Sequence, residues 1–140
     1  MEPSPKTSRG GHPVLAILVL SIGGICFVSA WLGAAVHSAS RAGWMAPVAA
    51  AVAIALLRLG WSSRGTRGRY FALVATFAYV LVGEWLVACM PIGAAMGQSP
   101  VEAAHRVGVD FGWMLVQLGN RPLDWFWLVL ALAVAWRFGR

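Results

Sequence analysis

The chain has 140 residues, of which 59% are hydrophobic and 11% are charged. Ordinary soluble domains carry about 25% charged residues, and a chain this short has too little interior to hide so much apolar surface. The composition therefore excludes an ordinary soluble domain and predicts a chain embedded in a bilayer, with membrane lipid as a partner. The net charge of +6 comes mostly from arginines at the ends of apolar runs, which favours membrane anchoring and argues against nucleic-acid binding.

The N-terminal part predicts a flexible tail followed by a first membrane span. Residues 1–12 hold two prolines, two glycines, Lys6 and Arg9 without apolar periodicity, which is typical of a flexible basic tail. The apolar run 13–36 follows, and its 24 residues are enough for a helix to cross a hydrocarbon core about 30 Å thick. A signal peptide needs only about 7–15 apolar residues, so we expect this span to be retained.

The second span, 44–61, is rich in alanine and is bracketed by Trp44 and Trp61, a pattern typical of a thin helix with aromatic side chains at both interfaces. A loop of arginine, glycine and serine then leads to the third span. It resembles no phosphate-binding loop, so we interpret its arginines as cytoplasmic anchors for anionic lipid or for a partner protein. The anchoring residues are Arg58, Arg64, Arg67 and Arg69.

The third span, 70–91, contains one charged residue, Glu84, and is predicted to close at Pro91. Helix geometry puts Glu84 about 21 Å from the cytoplasmic end, in the outer half of the bilayer and within reach of a hydrogen bond from Ser29 of the first span. Glu84 and Ser29 are the candidate functional residues inside the membrane. Glu84 either responds to a proton, cation or ligand in a small outward-facing cavity, or it snorkels or pairs with an arginine outside.

The segment 100–118 predicts an amphipathic helix that lies in the outer interface and covers Glu84. Ser99 caps this helix and Glu102 completes a capping box. If the helix crossed the membrane instead, Asp110 would sit near the bilayer centre at a cost of about 2.5–3.5 kcal/mol. A fifth span at 100–118 is the alternative. The last span, 122–138, has tryptophans and charged residues at both ends.

These segments predict an all-α polytopic membrane protein with four transmembrane helices and one amphipathic interfacial helix, in a single membrane domain over 13–140. Eight of the eleven lysines and arginines fall on the side of the two termini, and three fall on the other side. Because cytoplasmic loops are enriched in lysine and arginine, we expect a bacterial inner-membrane protein with both termini in the cytoplasm. The five-span arrangement gives almost the same charge bias.

The sequence holds no pattern that indicates catalysis or a bound cofactor. Its two cysteines, Cys26 and Cys89, differ by about 8 Å in predicted depth, which is too far for easy disulfide bridging. Its three histidines are scattered, so we predict no metal site. Because no nucleophile, phosphate-binding or dinucleotide motif is present, we predict no cofactor and no enzymatic activity.

Two stretches resemble a family of uncharacterised small bacterial membrane proteins. One is the alanine-rich span from Pro47, which leads through Arg64-Gly-Thr-Arg-Gly-Arg to an aromatic start at Tyr70; the other is the ending Ala135-Trp-Arg. Some members carry a cytoplasmic zinc ribbon in front, which this chain lacks because its tail has no cysteine. The resemblance implies four spans, and the family has no established activity to carry over.

We therefore expect an accessory or structural subunit that docks partner proteins or lipid through its small-residue faces and its arginine loop. The alternative is a homo-oligomeric channel or transporter in which Glu84 lines the path. A proton pathway normally shows several ionisable groups across the membrane, whereas these spans hold one, which favours the first hypothesis.

Overall fold

The structure, a computed structural model, describes residues 13–38, 43–60 and 66–139. Within these residues the chain is all α-helical and has no strand, so the predicted all-α class is confirmed. The tail of residues 1–12 and the loop residue Arg64 lie outside the described residues, and the predictions made for them stay predictions. The helices are α1 (Pro13–Ser38), α2 (Met45–Gly60), α3 (Thr66–Ala95), α4 (Pro100–Gly119) and α5 (Pro122–Phe138).

Two helices, α2 and α3, form the centre of the bundle. Helices α1 and α5 each pack against both of them, whereas α4 packs against α3. The side chains where α2, α3 and α5 meet are small, and their close approach is how helices gain packing energy in lipid. The fully buried small residues of these three helices are Ala49, Ala50, Ala53, Ala72, Thr76, Ala131 and Ala135.

The first helix joins the bundle through a buried tryptophan and a hydrogen bond to its backbone. Trp31 is fully buried, with its ring against Gly83 of α3. The Tyr79 hydroxyl of α3 donates to the carbonyl of Leu20 on α1. The rest of α1 presents large apolar side chains that are more than half exposed: Val14, Leu15, Ile17, Leu18, Ile22, Ile25 and Val36. Helix α1 is thus packed on one side only.

Helix α3 is longer than the predicted third span at both ends. It begins at Thr66, inside the predicted arginine loop, and continues past Pro91. Because Pro91 lies close to the end of the helix, its missing N–H removes one hydrogen bond and leaves the next turn intact. The helix stops in a Schellman motif, in which Gly97 adopts a φ of 65° and the Gln98 N–H donates to the Gly93 carbonyl over 2.8 Å. The prediction that the proline ends this helix is wrong.

Helix α4 returns alongside the C-terminal part of α3, in the opposite direction. Ala103 packs against Cys89, and further along α4 the backbone of Gly112 lies against the Trp85 indole. The small residues of α4 let it run beside α3, and the predicted location of this segment in the membrane interface stays a prediction.

A break at Gly108 divides α4 into two helical segments. Gly108 has φ 74° and ψ 170°, a backbone conformation that only glycine adopts at low cost. Beyond the break, Gly112 and Val116 are buried, whereas Phe111 and Leu118, which a continuous amphipathic helix would place on its apolar face, are exposed. The predicted uninterrupted helix is therefore wrong, because the break turns the second segment to a different face.

Helix α5 continues in the same direction as α4. Asp124 in its first turn shares a cavity with Glu84 of α3, and Gly139 at its end lies beside Ala72 of α3. Helices α4 and α5 thus follow one another along α3, both antiparallel to it. An alternating five-span arrangement would need α4 and α5 to run in opposite directions.

Two of these helices are long and apolar enough to cross a membrane, as judged by length and composition. They are Val14–Ser38 in α1 and Gly68–Ala95 in α3. The apolar stretch of α2, Met45–Leu59, is shorter, and α5 has 17 residues. The described part of the chain therefore has two candidate membrane spans by this test.

Candidate functional site

A cavity of about 90 Å³ lies where α2 and α5 begin, beside the middle of α3. Its walls are mostly apolar, and three polar side chains line it: Glu84 of α3, Asn120 of the α4–α5 turn and Asp124 of α5. Trp113 of α4 and Trp125 of α5 also line it. One water needs about 10–15 Å³ on this measure, so the cavity has room for a few waters or a small ligand.

Glu84 reaches this cavity because of its position on α3. Thr76, Val80 and Glu84 are spaced four apart and therefore share one helix face, and all three are buried. Glu84 is only 7% exposed. The side chains of Trp113 and Val116 bring α4 to the same cavity, so part of the segment 100–118 lies beside Glu84.

Asp124 is held by the first turn of α5 and by the start of α2. Its Oδ2 accepts a hydrogen bond from the backbone N–H of Arg121, the N-cap residue of α5, over 2.9 Å. Its Oδ1 lies against Gly43, where a Cβ would overlap it. The sequence places Asp124 in the first turn of α5, which by itself does not reveal its approach to Glu84.

Asn120 brings a third oxygen to the cavity. Its backbone N–H caps α4 by donating to the Val116 carbonyl over 3.0 Å. Its side-chain Oδ1 is buried and has no hydrogen-bond partner among the described residues. The sequence analysis missed this residue, because an asparagine between two helices is typical of an ordinary turn.

The cavity is rich in acceptors. Glu84 and Asp124 contribute carboxylates and Asn120 an amide oxygen, and two indole rings stand beside them. Carboxylates and indole faces both attract cations, so the cavity suits water, a proton or a small organic cation. No cluster of three or more histidine, cysteine, aspartate or glutamate side chains that could hold a metal ion occurs in residues 13–38, 43–60 and 66–139.

Ser29 does not belong to this cavity. Its hydroxyl donates to the Ile25 carbonyl on its own helix over 2.8 Å. It lines a separate apolar groove of about 460 Å³ between α1 and α3. The structure therefore does not show the hydrogen bond that we expected between Ser29 and Glu84. Equal depth put the two residues on one level, but they face different sides of the bundle.

The described arginines of the anchoring set meet at the opposite end of the bundle. Arg58, in the last turn of α2, donates to the Phe138 carbonyl at the end of α5 over 3.4 Å. The Arg69 guanidinium of α3 lies 5.3 Å from the centre of the Trp136 ring of α5. Arg67 belongs to the first turn of α3 by its backbone, and Arg64 lies outside the described residues.

Arg137 joins these arginines, although it was not in the predicted anchoring set. Its guanidinium lies 5.7 Å from the centre of the Phe138 ring. Three arginines from three helices therefore surround the C-terminal end of α5. The favourable field of a helix C-terminus for cations contributes to holding them there.

The start of α4 is fixed by the predicted capping box. Ser99 accepts from the Glu102 N–H through its hydroxyl, and its own backbone N–H donates to Glu102 Oε2 over 2.9 Å. The backbone N–H of Ser99 is the main reason why the pKa of Glu102 lies below its ordinary value, and the Ser99 hydroxyl and the charge of Arg106 add to this. The prediction of a capped helix start is confirmed.

No protein-family model matches the chain, and no curated protein or solved structure shows a significant similarity to it. The resemblance to small bacterial membrane proteins therefore stays a prediction.

Proposed function

We propose that this chain is a multi-pass protein of the bacterial inner membrane, in which α1, α2, α3 and α5 cross the bilayer and both termini lie in the cytoplasm. It acts as an accessory or structural subunit that docks lipid and a partner membrane protein or a second copy, and it carries no enzymatic activity. Its apolar outer surface is the main support for a membrane location.

The exposed apolar surface of α1 is the observation that supports a membrane location. Only 28% of its span is buried, and the side chains on its free face are large and apolar. The core helix of a soluble protein is mostly buried, and an apolar surface this extensive is typical of a region covered by lipid or a partner. Trp31 and the Tyr79–Leu20 hydrogen bond tie the same helix into the bundle. Cleavage of α1 as a leader would uncover these groups, which supports its retention.

The unequal helix lengths support the four-span arrangement. Helices α2 and α5, with 16 and 17 residues, are about 24 and 25 Å long. Both begin at the level of the cavity, because Ala46 and Asp124 line it. Helix α3 continues beyond this level, and α4 packs along that extension. We infer that α3 and α4 together fill the outer leaflet above the ends of α2 and α5, so that α4 and α5 make one crossing between them.

The packing below the cavity favours an accessory role over a pore. The fully buried alanines of α2, α3 and α5 fill the space between the cavity and the arginine end. Glu84 points into its own bundle instead of outward, so a path between neighbouring copies would not run past it. This placement argues against a channel lined by Glu84.

Purification in a mild detergent tests the accessory role. We expect a complex of defined stoichiometry, containing either a second copy or a partner membrane protein, because the free face of α1 is unpartnered among the described helices. Size-exclusion chromatography with light scattering gives the mass. A single monodisperse monomer at all concentrations would contradict the accessory role.

A small channel or transporter is the second candidate, favoured by the cavity itself. Its test is Glu84→Cys in a chain whose Cys26 and Cys89 are replaced by alanine. We expect protection from a membrane-impermeant maleimide added outside, because Glu84 is almost fully buried. Thr76→Cys on the same helix face is the unlabelled control. Rapid labelling at position 84 alone would indicate a water-filled entrance and support the second candidate.

A further inference from the structure

The charges of the described residues separate along the bundle. The described carboxylates are Glu84, Asp124, Glu102 and Asp110, and they belong to the cavity or to α4, which packs on the C-terminal part of α3. The other end of the bundle holds Arg58, Arg69 and Arg137, and no carboxylate of the described residues lies there. Among the described residues, this end is therefore strongly basic and has no internal counter-charge.

Helix α3 makes this imbalance more pronounced. Its first turn contains Arg67 and Arg69 and no acidic residue. The N-terminus of a helix carries a partial positive charge and unpaired N–H donors, so cations there are unfavourable and an anion is favourable. An anion beside this turn would relieve the repulsion and receive hydrogen bonds from guanidinium groups that have donors to spare.

An aromatic layer adjoins the arginines. Tyr70 and Trp136 contact each other edge to face, with ring centres 6.3 Å apart, and Arg69 lies over the Trp136 ring. Tyr70, Trp136 and Phe138 are about half exposed. Aromatic rings beside basic groups at the edge of an apolar surface are typical of the headgroup level of a bilayer. A free phosphate ion would use the arginines and leave these rings uncovered.

We propose that this end of the bundle binds the headgroup of an anionic phospholipid. The phosphate lies between Arg58 and Arg69, near the first turn of α3, and the upper acyl chains lie against Tyr70 and Trp136. This inference rests on the proposed membrane location and adds the class of lipid and the residues that hold it. Charge complementarity favours an anionic over a zwitterionic lipid, since no carboxylate of the described residues lies beside the arginines to pair with a choline or ethanolamine group.

The test uses the full chain in a neutral detergent. Its melting temperature is measured against increasing dioctanoyl phosphatidylglycerol, dioctanoyl phosphatidylcholine or inorganic phosphate. We expect phosphatidylglycerol to raise the melting temperature in a saturable way that weakens with added salt, and the other two compounds to have little effect. Equal stabilisation by phosphatidylcholine would overturn the proposed selectivity for anionic lipid. Equal stabilisation by inorganic phosphate would mean that the site binds a free anion and not a lipid.

Substitutions locate the site. Arg58→Gln and Arg137→Gln should each weaken the apparent affinity for phosphatidylglycerol about five-fold, since one arginine near an anionic headgroup contributes about 1 kcal/mol. Arg106→Gln removes the same charge from α4, at the other end of the bundle, and should leave the affinity unchanged. Arg69→Gln tests the third arginine. If that variant does not fold, Arg69→Lys, which keeps the charge, takes its place. Unchanged affinity in both Arg58→Gln and Arg137→Gln would overturn the proposal.

This experiment is independent of the number and direction of the spans, because it is done in detergent. A negative result would leave the four-span arrangement standing. A wrong topology, conversely, would not remove a phosphatidylglycerol effect that depends on the arginines.

Discussion

Glu84 shows how one buried carboxylate is accommodated in an apolar bundle. A charged side chain at the centre of a bilayer costs about 2.5–3.5 kcal/mol on insertion scales. In the proposed membrane arrangement Glu84 would not face lipid alone, because α2 and α5 begin at its level and the side chains of Asn120 and Asp124 share its cavity. The surroundings of Glu84 therefore depend more on the nearby ends of α2 and α5 than on the distance of Glu84 from the end of α3.

At the same scale, Glu102 makes the start of α4 sensitive to pH. Its pKa in the folded chain lies below the ordinary value of 4.5, mainly because of the hydrogen bond from the Ser99 N–H. The resulting stabilisation is present above the unfolded pKa and is lost as pH falls through the folded pKa. We expect the protection factors of the amides in the first turn of α4, which are exchange rates corrected for intrinsic exchange, to fall below about pH 4.5.

Two substitutions check this prediction. Glu102→Gln should remove this pH dependence of the protection factors in that turn, because glutamine does not titrate. Ser99→Ala should destabilise the helix start by about 1 kcal/mol at neutral pH. Identical acid profiles for the wild-type chain and Glu102→Gln would show that another group is responsible.

At the scale of elements, the contact of α4 with α3 depends on one glycine. A Cβ at Gly112 would overlap Nε1 of the Trp85 indole. We therefore expect Gly112→Ala to destabilise the protein by about 1–3 kcal/mol, the usual cost of overpacking, and to loosen α4. Thermal unfolding in detergent measures the loss.

Gly33→Ala is the matched control for this substitution. Nothing lies within 4 Å of a Cβ at Gly33, and alanine is the better helix former by about 1 kcal/mol. This variant should be neutral or slightly more stable. Equal losses of stability in the two variants would mean that the indole contact is unimportant. Helix propensity or lipid contact would then determine the change in stability.

Local sequence patterns predicted the helices well, but they did not predict contacts between residues that are far apart in the chain. The spacing Ser99-Pro-Val-Glu102 was sufficient to predict the start of α4, because a capping box involves only four consecutive residues. The break at Gly108 was not predictable, since a glycine inside a helix costs only about 1 kcal/mol and its conformation is decided by packing on α3. Counting depth along the helices also did not identify the side chains that lie near Glu84. Depth gives a level along the bundle and not a direction around it.

At the scale of the whole molecule, charge and helix direction agree on one arrangement. The arginine end should face the cytoplasm, because lysine and arginine concentrate there. In the proposed four-span arrangement the chain would cross back once after α3 and not twice, because α4 and α5 both run antiparallel to α3. Spans as short as α2 and α5 would then be accommodated by local thinning of the bilayer or by neighbouring helices, at a modest cost. The α3–α4 hairpin lies at the ends where α2 and α5 begin.

Topology reporters at three positions test this arrangement. Fusions after Gly97 and after Asn120 should both report the periplasm, because α4 does not cross by itself, and a fusion after Arg140 should report the cytoplasm. In a five-span protein the fusions after Asn120 and Arg140 would exchange these results, while the fusion after Gly97 would stay periplasmic. An inverted protein would reverse all three. The Asn120 fusion is the most informative, since it separates a helix that returns beside α3 within the outer leaflet from one that crosses the membrane.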